Sequence, residues 1–304
     1  MRFIQFLKVN GLYILWTAIY FTLAWLVFGT NLQSLIIVSS IYAISIAVAL
    51  SPIGEAMLRR LKGCRPLKTK KEKDYLQPLF DEVFQSAKET NPNLSDDIKL
   101  YLVDSMGVNS FAIGRKTIAV TEGATATLSE EELKGIIAHE IGHINCEHTK
   151  APLLTAIGNL LFTTAIFASR KVLKVLEDIL RGNSNTVKIV RQSQMGLHIG
   201  LKILRMLFVA LIFCTKIFFD VLVFVLIDLQ EISLMPLNQS HEYQADKFAH
   251  EIGFSQQLLN ALYILQNMPQ PEKETLSERV NKANINLAYR IEKLEELEEV
   301  ACEE

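Results

Sequence analysis

The chain has 304 residues, 50% of them hydrophobic, with a mean hydropathy of +0.22 and a formal net charge of −2. Near-balanced charge excludes the strongly basic surface that nucleic-acid binding requires, and the apolar excess points to a membrane protein. The four cysteines, Cys64, Cys146, Cys214 and Cys302, are scattered without Cys-x-x-Cys spacing, which excludes a disulfide scaffold and a thiolate zinc site and suits a reducing compartment.

Residues 11–28 and 34–50 are free of charge and long enough to cross about 30 Å of hydrocarbon. Tyr13, Trp16, Trp25 and Tyr42 are amphipathic anchors for them, though not all four can sit at an interface. The first stretch has no Ala-x-Ala-like cleavage site and the second follows at once, so an uncleaved hairpin is expected. Arg2 and Lys8 precede it, and Arg59, Arg60, Lys62, Arg65, Lys68, Lys70, Lys71 and Lys73 follow it as a basic linker, which predicts that both ends face the cytoplasm. Beyond the linker the pattern predicts an amphipathic helix over 74–87, a turn at Asn91-Pro92-Asn93, and strands over 98–103 and 117–121 bracketing a loop at Asn109. An edge strand here would offer its backbone to an extended peptide.

Ser129 followed by Glu132 is a capping box, with Glu130, Glu131 and Glu132 at the positive end of the helix dipole. Leu133, Ile136, Ile137 and Ile144 form an apolar stripe, and Gly135 and Gly142 leave room for another element to approach closely. That helix carries His139-Glu140-Ile141-Gly142-His143. Two imidazoles four residues apart project from one face about one turn from each other, as two tetrahedral Zn²⁺ positions require. Glu140, one residue round, is placed to act as a general base on metal-activated water, the His-Glu-x-x-His pattern of metalloproteases. With only six histidines in the chain, two solvated histidines are a poor account of this spacing. His148, five beyond His143, falls off the ligand face and reads as a surface histidine.

Two more apolar stretches follow, 152–169 and 206–227, long enough for full spans that return the chain to its starting side. Full spans put residues 170–205 on the far side, where eight basic residues against Glu177 and Asp178 oppose the positive-inside preference, a conflict that re-entrant or partly buried helices would remove. Lys216 and Asp220, one turn apart in the last stretch, read as a mutually neutralising pair. Glu242-Tyr243-Gln244-Ala245-Asp246 then opens a polar-to-apolar helix. Glu242 is the best available third ligand, completing a His₂Glu site with one position open, and Asp246, one turn on, can accept from the far nitrogen of a ligating histidine. Helices are predicted over 255–267 and 283–299, separated by Pro269 and Pro271.

The runs Gly135-Ile136-Ile137-Ala138-His139-Glu140-Ile141-Gly142-His143, Glu242-Tyr243-Gln244-Ala245-Asp246 and Val108-Asn109-Ser110-Phe111-Ala112-Ile113-Gly114 resemble, in content and order, the HtpX-like integral membrane metallopeptidases, relatives of the CAAX prenyl proteases. The resemblance implies a mainly α membrane protein, with transmembrane helices and a cytoplasmic α+β zincin-type (gluzincin) protease domain holding a small β-sheet. Four segments are expected: an N-terminal hairpin (1–52), a protease part with the zinc helix (53–150), the third and fourth apolar segments (151–230), and a protease part with the third ligand (231–304). The resemblance further implies one Zn²⁺ per chain on His139, His143 and Glu242, Glu140 as catalytic glutamate, Asp246 behind a ligand, and a substrate strand at Asn109, Phe111 and Ala112. Polypeptide substrates, membrane proteins among them, and the lipid bilayer are the implied partners. The expected activity is peptide-bond hydrolysis in membrane-protein quality control, at a bacterial inner or plasma membrane with the site on the cytoplasmic side. A processing peptidase for lipidated or C-terminal substrates and an inactive zinc-binding scaffold are the alternatives. The chain departs from the pattern at Asn238 and Gln239, where members often carry Ser-Arg, and at Asn284-Ile285, where many carry His-Pro; neither change removes a ligand.

Overall fold

The structure is a computed structural model that describes residues 2–158, 160–181, 198–268 and 287–303. The chain is mostly helical with one small mixed sheet, and it divides into two compact units, residues 1–159 with 232–304, and residues 160–231.

The first unit begins with a helical hairpin, α1 (Arg2–Phe28) and α2 (Leu32–Leu50). Gly29, at φ 105°, makes the turn, and Asn31 Oδ1 caps α2 by accepting from Ser34 N at 2.8 Å. Three of the four aromatic side chains read as anchors are buried in protein instead: Tyr13, Trp16 and Tyr42. Trp16 Nε1 donates to Ser233 Oγ at 2.7 Å and Tyr13 OH to Asn238 Oδ1 at 3.1 Å, so their polar tips are satisfied by α10 (Leu229–Glu251) and not by lipid headgroups.

Ser51 and Pro52 open α3 (Pro52–Leu61), whose Glu55 is buried. The Glu55 carboxylate accepts from Thr117 Oγ1 at 2.6 Å and from the amides of Arg115 and Lys116 at 3.2 Å each. It thereby fastens the turn around Gly114, where φ is 59° and any Cβ would overlap the carboxylate itself. The next residues differ from the expected linker. Cys64–Pro66 form β1, paired antiparallel with β2 (Lys99–Val103), a strand too short for an alternating pattern to reveal. Helix α4 (Lys70–Thr90) runs longer than predicted because Thr69 and Glu72 form a second capping box.

The sheet order is β1-β2-β4-β3, with β2 and β4 (Thr117–Thr121) parallel and β3 (Ser110–Ile113) antiparallel to β4. All five residues of β4 are buried. Val83 of α4, Ile118 and Val120 of β4, Ile137 and Ile141 of α6 (Glu130–Asn145), and Leu258 of α11 (Ser255–Gln266) share one core. A short α5 (Glu122–Thr127) joins β4 to α6. Helix α12 (Leu287–Glu303) closes the same core through Ile291 and Leu294. Its predicted start at 283, and Pro269 and Pro271, lie outside the described residues.

The third apolar stretch does not form one element. Its first part is α7 (Lys150–Gly158), which packs on α2 and α3, with Leu153 buried beside Ala49 and Ile113. Its second part begins α8 (Leu160–Arg181), in the second unit. Leu153 and the partly buried Leu154 of α7 thus cover the first unit. The second unit pairs α8 with α9 (His198–Val223), which passes through a π turn at Phe224–Asp228 into α10. Lys216 and Asp220 pair across this hairpin and not with each other: Lys216 Nζ lies 3.9 Å from Glu177 Oε2, and Asp220 is ion-paired with Arg170. Among the described residues, Leu32–Leu50 and Met206–Leu226 are long and apolar enough to cross a membrane, and Gly11–Leu26 is a shorter apolar stretch.

Candidate metal centre

The helix that carries both histidines is fixed in frame by its ends and its glycines. Ser129 and Glu132 exchange the two capping-box hydrogen bonds, Glu132 Oε2 accepting from Ser129 N at 2.7 Å. A Cβ at Gly142 would stand 2.8 Å from the carbonyl oxygen of Ala245, so α6 and α10 touch backbone to backbone just where each carries its polar groups. The close approach expected at Gly142 is present.

Three ligand-type atoms converge. His139 Nε2 and His143 Nε2 lie 3.1 Å apart, and the two Glu242 oxygens lie 3.3 Å from His139 Nε2 and 3.3 Å from His143 Nε2. A tetrahedral zinc ion with bonds of about 2.0–2.1 Å separates its ligand atoms by about 3.3 Å, so the trio has the spacing such an ion demands. Among the described residues this is the one group of His, Cys, Asp and Glu side chains spaced to hold a metal. The charges agree. Glu140, Glu242 and Asp246 face Arg290, so three carboxylates against one guanidinium leave two negative charges, which one divalent cation neutralises.

Asp246, 1% exposed, lies behind His139, with Oδ1 2.8 Å from Nδ1. A proton on Nδ1 donated to that oxygen leaves the Nε2 lone pair facing Glu242 and His143. Arg290 of α12 locks the arrangement, donating from Nε to Asp246 Oδ2 at 2.8 Å, from Nη2 to Asp246 Oδ1 at 2.6 Å, and from Nη1 to Glu242 Oε2 at 2.9 Å. Nη2 also stands 3.2 Å from His139 Nδ1, a proximity that their shared acceptor creates. Burial pushes the Glu242 carboxyl upward, but Arg290 and the two histidines outweigh it and hold the group well below the usual carboxylate range. Asp246 is likewise lowered against the effect of burial, by Arg290 and His139. Burial and Arg290 oppose a charged His139, yet Asp246 and Glu242 lift it to about 9. The pocket therefore favours added positive charge, which a metal cation supplies without a proton.

Glu140 is buried beside the trio and accepts from Ser110 Oγ at 2.6 Å. Ser110 begins β3, the sheet's edge, where Phe111 pairs with Ala119 and Ala112 with Ile118. Asn109 just before it is pinned to β4, its amide donating to Thr121 Oγ1 at 3.0 Å and its carbonyl accepting from Thr121 N at 3.1 Å. Asn109, Phe111 and Ala112 thus lie on or next to the strand that touches Glu140.

His148 corrects the sequence reading: it is 3% exposed and belongs to the site. Helix α6 stops at Asn145 and the chain turns back, so helical spacing no longer governs where residue 148 lies. Its Nδ1 lies 3.2 Å from His143 Nδ1, its Nε2 lies 3.2 Å from Gln244 Oε1, and its ring stacks on that of His241 in α10, at 4.0 Å between centroids. Burial, with His241 and His143 as neighbours, lowers His148 to about 3, so it is neutral near pH 7. The sequence reading gives no site role to Arg290, Ser110 or Gln244, although Ser110 and Gln244 lie within the runs that carry the family resemblance and Arg290 within the helix expected over 283–299.

A family model described as peptidase family M48 matches residues 70–276. Among curated proteins, Protease HtpX of Shewanella oneidensis is 22% identical over 245 residues, covering 79% of this chain and 76% of that protein. Protease HtpX homolog of Nostoc punctiforme is 48% identical over 50 residues, 15% of this chain and 17% of that protein. Among solved structures, the crystal structure of S. mikatae Ste24p matches with 19% identity and a TM-score of 0.46, over 95% of this chain and 63% of that one, so the chain spans less than two thirds of its length.

Proposed function

This chain belongs to peptidase family M48, and we propose that it is a membrane-bound, zinc-dependent endopeptidase that cleaves polypeptides, membrane proteins among them, in membrane-protein quality control. The observation that carries the reading is the convergence of His139, His143 and Glu242 at 3.1–3.3 Å, from positions a hundred residues apart, with Glu140 beside them.

In this reading His139, His143 and Glu242 hold one Zn²⁺ and leave a fourth position open. When bound, the zinc ion is a Lewis acid that makes water nucleophilic near neutral pH and polarises the scissile carbonyl. Glu140 takes the proton of the attacking water and returns it to the leaving amine. Ser110 holds one oxygen of Glu140 by its hydrogen bond and leaves the other free for the water. Asp246 and Arg290 keep His139 in the tautomer that ligates. The outer edge of β3, at Asn109, Phe111 and Ala112, pairs with an extended substrate through backbone groups, which accommodates many sequences. The basic residues after α2 support a cytoplasmic site at a bacterial inner or plasma membrane, with the apolar helices forming a multi-pass anchor in the bilayer.

The test is the Glu140→Gln variant of the full chain, purified in detergent with casein as substrate. It is expected to keep stoichiometric zinc and lose proteolysis by several orders of magnitude, whereas His139→Ala and Glu242→Ala lose the metal itself. Equal proteolysis by wild type and Glu140→Gln overturns the mechanism, and a wild-type protein that takes up no zinc overturns the reading.

A further inference from the structure

Each ligating histidine needs something to hold its far nitrogen, and Asp246 with Arg290 serves only His139. The far nitrogen of His143 meets His148. The turn that brings it there is unusual: Glu147 has φ 62°, a left-handed conformation that residues with a Cβ seldom adopt, and the His148 amide donates to the His143 carbonyl at 3.0 Å.

We propose that His148 is a positioning residue for the metal centre, an imidazole that accepts from His143 Nδ1–H and donates to Gln244, fixing His143 for ligation and tying α6 to α10. The proton placement follows from the far end of the chain of hydrogen bonds. Gln244 presents its carbonyl oxygen, which only accepts, while its amide nitrogen is 3.2 Å from Ser240 Oγ. His148 Nε2 therefore donates to that oxygen, and the two Nδ1 atoms, 3.2 Å apart, have room for one hydrogen between them, which ligation through His143 Nε2 places on His143 Nδ1. His143 Nε2 is then bare and directed at His139 and Glu242. Gln244 is two residues from Glu242, so the relay connects both ligand helices. The stacked His241 ring, 10° from parallel, prevents His148 from tilting away. An imidazole partner also suits this side of the site, because a second carboxylate would add negative charge beyond what one divalent cation balances.

The inference rests on the zinc reading above, and zinc affinity tests it without reference to proteolysis. The full chain in detergent is titrated with zinc against a competing chelator, and its cobalt-substituted form is followed by visible absorption. His148→Leu is expected to weaken zinc binding by about 10–100-fold and alter the cobalt spectrum. His148→Asn, whose side-chain oxygen takes the place of Nδ1, is expected to restore most of both. Wild-type affinity in His148→Leu, or a loss in His148→Asn as large as in His148→Leu, overturns the proposal. If His148→Leu does not fold, His148→Asn is set against His148→Gln, whose acceptor sits on the Gln244 side: tighter zinc binding by Asn supports the relay and equal binding overturns it. A wild type that binds no zinc sinks the parent reading. A wild type that binds zinc no better than His148→Leu sinks only this one.

Discussion

Helices α6 and α9 are both rich in leucine and isoleucine, yet they solve opposite problems. In α6 ten of sixteen residues are buried, and the polar groups among them, His139 and Glu140, are enclosed by partners from β3, α10 and α12. In α9 Ile212 is the one buried side chain among those described, while Met206, Phe208, Leu211, Phe213 and Phe218 are exposed. A face of that size in contact with water would be costly, and the run Met206–Leu226 is long and apolar enough to cross a membrane, whereas α6 is covered by protein. The glycines mark the difference. Gly135 and Gly142 let neighbouring backbones close on α6, and the apolar run 206–226 has no glycine.

The comparison breaks first at Arg290. Replacing it with leucine leaves Asp246 and part of Glu242 enclosed without a cation, at a cost of about 3–5 kcal/mol, read as a fall in the unfolding midpoint of the purified protein. An unchanged midpoint would mean that the enclosed network is not closed by α12. The matching change in the other region is Phe213→Lys. A charge near the centre of a spanning helix costs about 2.5–3.5 kcal/mol of insertion, so Phe213→Lys is expected to open the 206–226 segment to added protease in membrane vesicles, while a protease-domain surface variant such as Glu89→Lys leaves that segment protected. Unchanged protection in Phe213→Lys would show that α9 is not lipid-exposed.

The same contrast explains what the sequence made legible. The trio is readable because His139 and His143 share one helix at fixed spacing and Glu242 shares a helix with Asp246, so each half is a local pattern. Arg290 is not, because its meaning comes from Asp246, 44 residues away, and nothing beside it in the chain marks a buried guanidinium. His148 was misread for a different reason: five residues is the wrong spacing on a helix, but α6 has already ended and Glu147 has reversed the chain. Tyr13 and Trp16 were read as interfacial because amphipathic rings suit headgroups and buried hydrogen bonds equally well, and only the position of α10 decides between them. The split of the third apolar stretch between α7 and α8 was likewise invisible, since apolar composition does not say whether protein or lipid will cover it.

Gly142 sharpens the comparison at smaller scale. Alanine at an exposed helix position gains about 1 kcal/mol over glycine. Here the added Cβ would press on the Ala245 carbonyl at 2.8 Å and its Cα at 2.9 Å, backbone atoms that cannot rotate aside. Gly142→Ala is expected to destabilise by about 1–3 kcal/mol and to weaken zinc binding, because the displaced segment is one turn from Glu242. A raised melting temperature would mean that the two ligand helices are not in backbone contact.

The smallest effect belongs to the partly exposed surface, where charge is paired without being enclosed. Glu72 accepts from both terminal nitrogens of Arg65 at 3.1 Å and from the amides of Thr69 and Lys68. Arg65 first, then those amides, lower its carboxyl from 4.5 to about 2. A depressed carboxyl stabilises the fold fully above its unfolded value and loses that contribution as the pH falls through the folded one, so the window runs from about 4.5 down to about 2. Melting temperatures of wild type and Glu72→Gln should therefore differ near neutrality and converge across that window. A constant offset down to pH 2 would show that the difference comes from the cap geometry and not from the charge. Solvent screens this pair, so the offset should also shrink with added salt, whereas the loss in Arg290→Leu, whose partners are enclosed, should not.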